Sequence, residues 1–576
     1  MNEVLPIMGA MCPLFGFRHV PPDVVRNKES MPRGDAETQG ANSGVKDPQP
    51  QLQRHEAASS VTRCVLLVVA VMLLASPVWA TVYYVSRSDG NDNYNGTAQL
   101  RTTGSTGPWN TIAKVNASSF VPGDSILFKR GEVWRERLIV PSSGSPGNPI
   151  TFGAYGSGSR PTVNGSDILT GWAAISSDVY RATVATQPYA VWFDGSVGTR
   201  KPSIGTLSAD RDWHWSSNQL YIYSSTGPSA RTIESSSRQT VFMSDKSWIT
   251  LEQLTFAKGG NAARDDKSIA IRQSAHIVLQ DCDVTDSVNI GVDIFGVDGI
   301  SGDATIQRCA FERTGLSKDQ LGAHSAVQTY NTTENPTFIV QHNTFQDIDL
   351  YGAHHGHGIY ALSGRVIWRF NYHKGDSGPV RAGAAVRLAN TGGSQVYYNV
   401  FSNEGGKRYW GVLATAGIHY VYNNVFYQNN YGLVADTGSP TVVAQNNIFA
   451  GSFDETWYYM FIQAGTYRGD NNLFFGGGNG WRYKGVTKAS LVEWRTLSGQ
   501  DGRSLNADPL FLSTFDFRLQ ESSPAIDAGV DVGVTADFLG THVPQGHAPD
   551  IGAYEKSPGE DPLAPRAPTG LVVIPE

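Results

Sequence analysis

Residues 395–427 read QVYYNVFSNEGGKRYWGVLATAGIHYVYNNVFY, and the phrase Asn-Val-Phe at 399–401 returns at 424–426. Related phrases recur through the middle of the chain. Their polar position is held in turn by Leu254, Cys282, Cys309, Asn343, Asn371, Asn399, Asn424, Asn447 and Asn472. Two residues later runs an aromatic column of Phe256, Val284, Phe311, Phe345, His373, Phe401, Phe426, Phe449 and Phe474. Such a repeat, rich in β-branched and aromatic residues, predicts a solenoid of stacked coils.

Stacking predicts what each column does. Equivalent strands of neighbouring coils pair about 4.8 Å apart, so identical residues form continuous rows. We expect the asparagines to bond to one another at a sharp bend, because Asn accepts a left-handed backbone and its amide both donates and accepts. The aromatic column is expected to stack inside the coils.

Two cysteines occupy the asparagine position in adjacent coils. Cys282 and Cys309 would have Cα atoms within disulfide range, but stacked side chains point the same way. A disulfide is therefore one alternative. Two reduced, buried thiols are the favoured one.

Composition excludes some function classes. The chain has 576 residues, 62 glycines, 17% charged residues and a net charge of -7. The sequence shows no basic stripe for phosphate neutralisation, so no nucleic-acid partner is expected. Four cysteines give no disulfide framework.

The segment Arg63–Ala80 has a basic flank, a short apolar run, and small residues at 78 and 80. We interpret residues 61–80 as a signal peptide, which predicts a secreted or periplasmic protein with no stable membrane span after cleavage. Residues 1–60 are predicted to be a disordered or non-native extension. The alternative is a cytoplasmic tail on a membrane anchor, but the apolar run is short for a full span.

The stretches VYYVSRSDGNDNYNGT, GPWNTIAKVN and VPGDSILFKRGEVWRERLIV follow Thr81. They resemble the N-terminal cap and first coils of secreted right-handed parallel β-helix proteins of the pectate-lyase-like superfamily. We therefore expect an all-β right-handed parallel β-helix solenoid with caps at both ends and a small β-rich insertion. The predicted parts are a cap with first coils at 81–166, the insertion at 167–239, coils at 240–480, a C-terminal cap at 481–555 and a Pro-rich tail at 556–576.

After each aromatic-column residue comes a loop and then an alternating strand. If Val292, Val327, Ile359 and Val386 face inward, their neighbours face outward and stack into one polar strip. The strip is predicted to contain Asp293, Gln328, Tyr360 and Arg387. Further on it becomes Leu413 and Val434. Long charged loops precede these strands, so a groove for a polymer is predicted there.

A histidine cluster lies in this groove. His354, His355 and His357 follow one loop, with His324 in the equivalent region one coil earlier. Three interpretations stay open: a structural hydrogen-bond cluster, acid-base chemistry, or metal ligands, for which His-x-His is a weak signal.

Lys374 follows His373 and is grouped here with Arg381 and Arg387. Three cations over one groove would suit an anionic polysaccharide. In β-elimination a cation neutralises the uronate carboxylate and a base removes the adjacent proton. We predict Lys374 as the base, Arg381 and Arg387 as carboxylate clamps, and Tyr360 or His357 as proton donor. His355, His324, Gln328 and Asp293 are predicted to contact substrate.

The resemblance also implies this chemistry, because pectate, alginate and chondroitin lyases on the fold use Lys or Arg as base, often with calcium. Asp347 and Asp349 are the predicted calcium ligands, although the acidic set is incomplete. No organic cofactor is expected. Polygalacturonase-type hydrolases share the fold and a Gly-His-Gly phrase, matched at 356–358, but their paired-Asp motifs are not matched.

The most favoured function is thus cleavage of an acidic polysaccharide by β-elimination. One rival is a glycoside hydrolase using Asp293 and Asp347, since inverting hydrolysis needs two carboxyl groups roughly 6.5 to 9.5 Å apart. The other is a non-catalytic sugar-binding or surface protein, because fold alone does not decide function.

Overall fold

The structure is a computed structural model. It describes residues 80–260, 267–296, 302–317, 324–330, 335–348, 356–375, 383–390, 392–403, 409–451, 457–557 and 559. Within these residues, the coils form three sheets of 12 strands each. We name them sheets A, B and C, in the order in which a typical coil contributes its strands. All pairings are parallel except the last one in sheet C, where Trp481–Tyr483 and Val486–Lys488 are antiparallel. The predicted all-β parallel β-helix is confirmed.

The strands follow a short, repeated pattern in each sheet. Sheet A contains Val82–Val85, Ser125–Lys129, Ile150–Tyr155, Ser247–Glu252, Ala275–Gln280, Ala304–Gln307, Thr337–Gln341, Arg365–Arg369, Gln395–Tyr397, Ile418–Tyr422, Thr441–Gln445 and Thr466–Asp470. Sheet B contains Val133–Trp134, Thr162–Asn164, Thr255–Ala257, Asp283–Thr285, Ala310–Thr314, Thr344–Ile348, Tyr372–His373, Val400–Ser402, Val425–Tyr427, Ile448–Ala450, Leu473–Phe475 and Leu505–Asn506. Sheet C contains Leu138–Ile139, Val241–Ser244, Ile269–Arg272, Val292–Phe295, Ser325–Tyr330, His357–Ala361, Gly383–Leu388, Tyr409–Ala414, Tyr431–Ala435, Tyr458–Ile462, Trp481–Tyr483 and Val486–Lys488.

The asparagine column lies at the bend between sheets A and B. Asn371 Nδ2 donates to Asn399 Oδ1 at 3.3 Å, and Asn399 Nδ2 donates to Asn424 Oδ1 at 2.9 Å. The backbone N–H of Asn399 also donates to Asn424 Oδ1, at 3.0 Å. Equivalent bonds continue to Asn447 and Asn472, and all of these side chains are buried.

The expected left-handed backbone is displaced by one residue. The residue before each column asparagine has positive φ, as at Phe370 (φ 56°) and Tyr398 (φ 50°). The bend is therefore made one position earlier, and the asparagine that follows turns its amide inward. This corrects the prediction that the column asparagines themselves take the left-handed conformation.

The aromatic column packs inside, with register pairs running unbroken from Phe256 to Phe474. His373 is its polar member and is buried between Phe345 and Tyr409. Its Nδ1 accepts from Gly375 N–H at 3.3 Å, so Nε2 carries the proton and faces Tyr409 Oη at 2.7 Å. Burial lowers the pKa of His373 to about 3, which keeps it neutral.

The two column cysteines are reduced and buried, as favoured above. Burial, first, and the neighbouring thiol raise the pKa of Cys282 well above its ordinary value. The Cys282 thiol is therefore not a reactive nucleophile in the folded chain.

Both ends of the coil stack are covered. Near the first end lies helix α1 (Ile112–Asn116), whose buried Ile112 and Val115 join the main core. At the other end lies helix α2 (Leu491–Ser498), with Ser490 as N-cap and Gly499 in the left-handed conformation as C-cap.

The region predicted as C-terminal cap has two parts in the structure. Residues after 508 run back along the outside of the coils instead of covering the end. Asn423, Asn446 and Asn471 donate side-chain bonds to the carbonyls of Asp550, Val530 and Ala528. This strap buries a second apolar cluster that includes Phe517 and Phe538.

Residues between 166 and 236 form two small sheets beside the coils. One contains Ser166–Ile168, Val191–Phe193, Ser196–Val197 and Ile233–Ser236; the other contains Ala173–Ala174, Val179–Thr183, Thr199–Arg200, Asp212–Ser216 and Gln219–Tyr223. Short 3₁₀ turns occur at Ile204–Thr206 and Pro228–Ala230. Trp192 and Trp213 are buried core residues, which argues against sugar stacking by these two rings.

A network of charged side chains around the buried Glu234 links the insertion to the coils. Glu234 Oε1 accepts from Arg135 Nη1 at 2.6 Å, and Lys258 Nζ contacts Glu234 Oε2. Burial would raise the pKa of Glu234, but the two cations hold it below its ordinary value. Trp192 also packs on Val288 and Leu316, which lie between sheets B and C. No helix in the described part of the chain has the length and apolarity needed to cross a membrane.

Candidate functional site

The strands of sheet C bend so that two consecutive residues face inward. In successive coils these inward pairs include Gly358–Ile359, 385–386, Gly411–Val412 and 432–433. A Cβ on Gly411 would lie 2.4 Å from the ring of Phe426. Glycine is needed there because the aromatic column approaches the strand too closely for a side chain.

The bend leaves an outward residue on each side of every inward pair. The upstream row contains Ser325, His357, Ala384, Trp410, Tyr431 and Tyr458. The downstream row contains Asp293, Gln328, Tyr360, Arg387, Leu413, Val434, Phe461 and Arg482. The predicted adjacency of Asp293, Gln328, Tyr360 and Arg387 is confirmed.

Three of the predicted catalytic residues meet on this outer face. The ring centroids of His357 and Tyr360 are 5.2 Å apart. The guanidinium carbon of Arg387 lies 4.4 Å from the Tyr360 centroid, a cation–π contact. Arg387 Nη1 is 3.5 Å from His357 Nε2. We call His357, Tyr360 and Arg387 the reaction cluster.

The orientation of the His357 ring follows from its neighbours. Nδ1 lies 3.4 Å from Ala384 O and 3.2 Å from Ala384 N. The Ala384 N–H already donates to Gly356 O at 3.1 Å in the strand ladder. We therefore assign the proton to Nδ1, which leaves Nε2 as an acceptor facing Arg387.

Arg387 has unused hydrogen-bonding capacity. Its Nε is buried and has no acceptor among the described residues. No described carboxylate forms an ion pair with its guanidinium. A buried guanidinium N–H without an acceptor is costly, so a ligand anion at this position would be stabilised.

Asp293 is the acidic member of the downstream row. It is 2% exposed, and its Oδ2 accepts from Arg272 Nη1 at 2.7 Å. Within the described ranges, its Oδ1 has no hydrogen-bond partner. Arg272 also lies over Phe295, whose ring is 5.4 Å from that of Tyr330. The sequence interpretation missed Arg272, although its place one coil before Asp293 was a usable signal.

The other predicted site residues lie at several different places relative to the reaction cluster. Lys374 is exposed at the end of a sheet B strand, where its N–H donates to Phe345 O at 2.9 Å. His324 is fully buried, and its carbonyl accepts from His357 N–H at 2.9 Å. Gln328 is half-buried between Asp293 and Tyr360 in register. Arg381, His355 and Asp349 lie outside the described residues, as does His354.

A metal site is not assembled by the described residues. Asp347 is the next-to-last residue of a sheet B strand and has φ 53°, and its N–H donates to Gly375 O at 3.3 Å. No group of three or more His, Cys, Asp or Glu side chains in the described ranges is arranged to hold a metal ion. These residues do not fit the oxygen-rich site that calcium prefers.

Comparison with known proteins gives the fold. The family described as right handed beta helix region matches residues 212–371. A solved structure described as the complex of XylC with xylose has 12% identity and a TM-score of 0.56, covering 83% of this chain and 99% of that one. A glycoside hydrolase has 11% identity and a TM-score of 0.46, covering 73% of this chain and 99% of that one.

A PL6 family polysaccharide lyase from Pseudopedobacter saltans has 12% identity and a TM-score of 0.37, covering 72% of this chain and 96% of that one. A search of curated proteins found no match. The parallel strand order, the family match and the first of these structural similarities together identify the fold of the chain as a right-handed parallel β-helix.

Proposed function

We propose that the protein is a secreted carbohydrate-active enzyme that cleaves an acidic polysaccharide by β-elimination at the outer face of sheet C. Secretion rests on the apolar segment before Ala80. The reaction rests on the cluster around Arg387, and sugar-directed chemistry is consistent with the structural similarity to the complex of XylC with xylose.

The observation that carries the proposal is the Arg387 guanidinium, for which no described carboxylate supplies an ion pair. Its buried Nε lacks an acceptor in the described part of the chain, and it lies beside two groups capable of proton transfer. A uronate carboxylate bound there would have its charge neutralised. Neutralisation makes the hydrogen on C5 of the uronate removable by a base of ordinary strength.

A base takes the C5 proton, the C5–H electron pair forms the C4–C5 double bond, and the C4–O bond breaks. The leaving oxygen receives a proton from a donor. Tyr360 is the proposed donor, because the proton of His357 is assigned to Nδ1, which faces the backbone of Ala384. Lys374, which precedes the sheet C strand of Arg387 in the sequence, is the proposed base.

One observation favours the hydrolase rival. Asp293 is a buried carboxylate with one oxygen not bonded within the described residues, as a general acid would need. It is the one acidic residue of the downstream row from 293 to 482. Hydrolysis needs a second carboxylate, for which Asp347 is the described candidate.

The deciding experiment measures product chemistry. The protein is incubated with polygalacturonate, alginate and glycosaminoglycan chains, with and without a chelator. Elimination produces a 4,5-unsaturated sugar that absorbs in the near ultraviolet, whereas hydrolysis produces reducing ends without that absorbance. Reducing ends alone would overturn the proposal and favour Asp293, and binding without cleavage would favour a sugar-binding protein.

The samples with chelator test whether elimination requires calcium. No step of the proposed reaction uses a metal ion. Substituted proteins then assign the base. Lys374→Ala is expected to abolish elimination while leaving substrate binding within a few-fold of the parent. Full elimination by this variant would transfer the role of base to His357 or Tyr360.

A further inference from the structure

The outer face of sheet C continues past Arg387 as an apolar surface. We name it the apolar platform, and it consists of the half-buried side chains of Trp410, Tyr431, Tyr458 and Phe461. Beneath them lie Leu413 and Val434, which are buried. Tyr431 and Tyr458 are nearly parallel, with centroids 5.7 Å apart and planes at 6°. Trp410 stands at 90° to Tyr431 at 5.4 Å.

The platform is not part of the interior. Ala384, Leu413 and Val434 form a cluster with Trp410, Tyr431 and Phe461 that is separate from the main core. Contiguous apolar surface of this kind on a soluble protein commonly marks a binding site. The inward neighbours of these residues, such as Val412 and Leu433, belong to the main core and pack the interior of these coils.

The register makes the platform continuous with the reaction cluster. Arg387 pairs with Leu413, Leu413 with Val434, Val434 with Phe461, and Phe461 with Arg482. Four strand spacings separate the two arginines, roughly 19 Å at about 4.8 Å each. A polymer lying along the coil axis over Arg387 would therefore cross the platform and reach Arg482.

Arg482 resembles Arg387 in its surroundings. Its guanidinium carbon lies 5.4 Å from the centroid of Phe461. Its Nε is also buried without an acceptor among the described residues. Both ends of the platform thus offer a cation with unused donors, while the downstream row between them carries no charge.

We propose that the platform binds uncharged sugar units of the same polysaccharide chain, between acidic units held at Arg387 and Arg482. This inference rests on the proposed function and specifies its substrate class: an acidic heteropolysaccharide with neutral sugars between its uronates. A homopolymer of uronates would place carboxylates against the four aromatic side chains of the platform, where desolvation has no compensating partner. Neutral pyranose rings present C–H faces that suit aromatic surfaces.

The test compares platform variants with a matched aromatic control. Trp410→Ala and Tyr431→Ala are expected to raise the KM for a uronate-containing heteropolymer about tenfold per ring. The rate constant kcat on a short oligosaccharide that ends at Arg387 should stay unchanged. Tyr420→Ala is the control, because Tyr420 is a half-buried tyrosine on sheet A. Thermal unfolding of each variant verifies that the coils remain intact.

The failures of the two proposals can be told apart. If no uronide gives an unsaturated product, β-elimination is wrong, and the affinity of Trp410→Ala for the heteropolymer by gel retardation still tests the platform. The platform inference is overturned if both variants bind and cleave the heteropolymer like Tyr420→Ala. Equal affinity of the parent protein for polygalacturonate and for the heteropolymer would also overturn it.

Discussion

The interior and the outer face of sheet C are formed by the same strands, yet they vary in different ways. The inward column changes only among aliphatic residues: Val292, Val327, Ile359, Val386, Val412, Leu433 and Met460. One residue later, the downstream row passes from Asp293 through Tyr360 and Arg387 to Phe461. Interior residues must fit the coils above and below, whereas the side chains of the downstream row differ widely in size and charge although they occupy equivalent positions. Variation along the outer row therefore carries information about function.

The largest expected effect is on the outer face. Arg387→Ala should lower kcat/KM about 10³-fold, roughly 4 kcal/mol of transition-state stabilisation, because the uronate carboxylate loses its counter-charge. The midpoint of unfolding should stay within about 1 °C, since the guanidinium forms no described ion pair. Steady-state kinetics and thermal unfolding measure the two effects.

Arg468→Ala is the matched control, because Arg468 is exposed on sheet A. This substitution should change neither kcat/KM nor the midpoint of unfolding. An Arg387→Ala protein with activity within threefold of the parent would contradict the comparison, since the outer row would then carry no reaction chemistry.

A substitution in the interior should lower the stability of the fold and leave the activity of the folded protein unchanged. Asn399 Nδ2 donates to Trp368 O and Tyr397 O, both at 3.0 Å, as well as to Asn424 Oδ1. Asn399→Ala leaves several buried groups unsatisfied, so the free energy of unfolding should fall by about 3 kcal/mol or more. Denaturant unfolding measures the loss, and kcat of the folded fraction should be retained.

Cys309→Ala tests the same column with a weaker hydrogen-bonding side chain. Cys309 Sγ contacts Gln307 O at 3.3 Å. Its replacement should destabilise by only about 1 kcal/mol, because a thiol is a weak donor. Equal losses at 309 and 399 would show that packing, and not the amide bonds, stabilises the bend.

A smaller effect is expected from the polar pair inside the aromatic column. His373→Phe keeps a ring in the stack but removes the partner of Tyr409 Oη and the acceptor of Gly375 N–H. We expect a loss of about 1 to 3 kcal/mol, with Tyr409→Phe showing part of the same loss. The double variant should lose less than the sum, by about 0.5 kcal/mol or more. Strict additivity would mean that the two side chains do not interact.

Much of the fold could be predicted, because stacking places residues one period apart in register. Cys309, Asn343 and Asn371 bond in sequence order for this reason. The position of the left-handed residue could not be read from the repeat, because its identity changes from His342 to Phe370. That position is constrained by backbone geometry rather than by side-chain chemistry.

The candidate site was only half predictable. Strict alternation gives the downstream row but would turn His357 and Trp410 inward, because it takes no account of the two consecutive inward residues. The sequence did contain an indication of the second inward residue. Gly358, Gly411 and Gly432 each come directly before the inward aliphatic residue of their strand. The apolar platform was missed for the same reason, since Trp410 and Tyr431 belong to the upstream row.

The smallest expected effect concerns the strap, the part of the C-terminal region that lies outside the coils. Burial raises the pKa of Asp537 and Asp550 to about 6 and that of Glu555 to about 7. A carboxyl whose pKa is raised on folding stabilises the fold when protonated, so this contribution is lost as pH rises through 6 to 7. Glu234, whose pKa is lowered, has the opposite dependence and loses its contribution at acidic pH.

Glu555→Gln removes one of the carboxyls with a raised pKa. The fall in unfolding temperature between pH 5.5 and pH 8 should then be smaller by a few degrees, measured by calorimetry, while the exposed Glu521→Gln should leave that fall unchanged. A steeper fall in Glu555→Gln would mean that the backbone N–H groups of Asp550 and Gln545, which donate to this carboxyl, favour its charged form more than burial disfavours it.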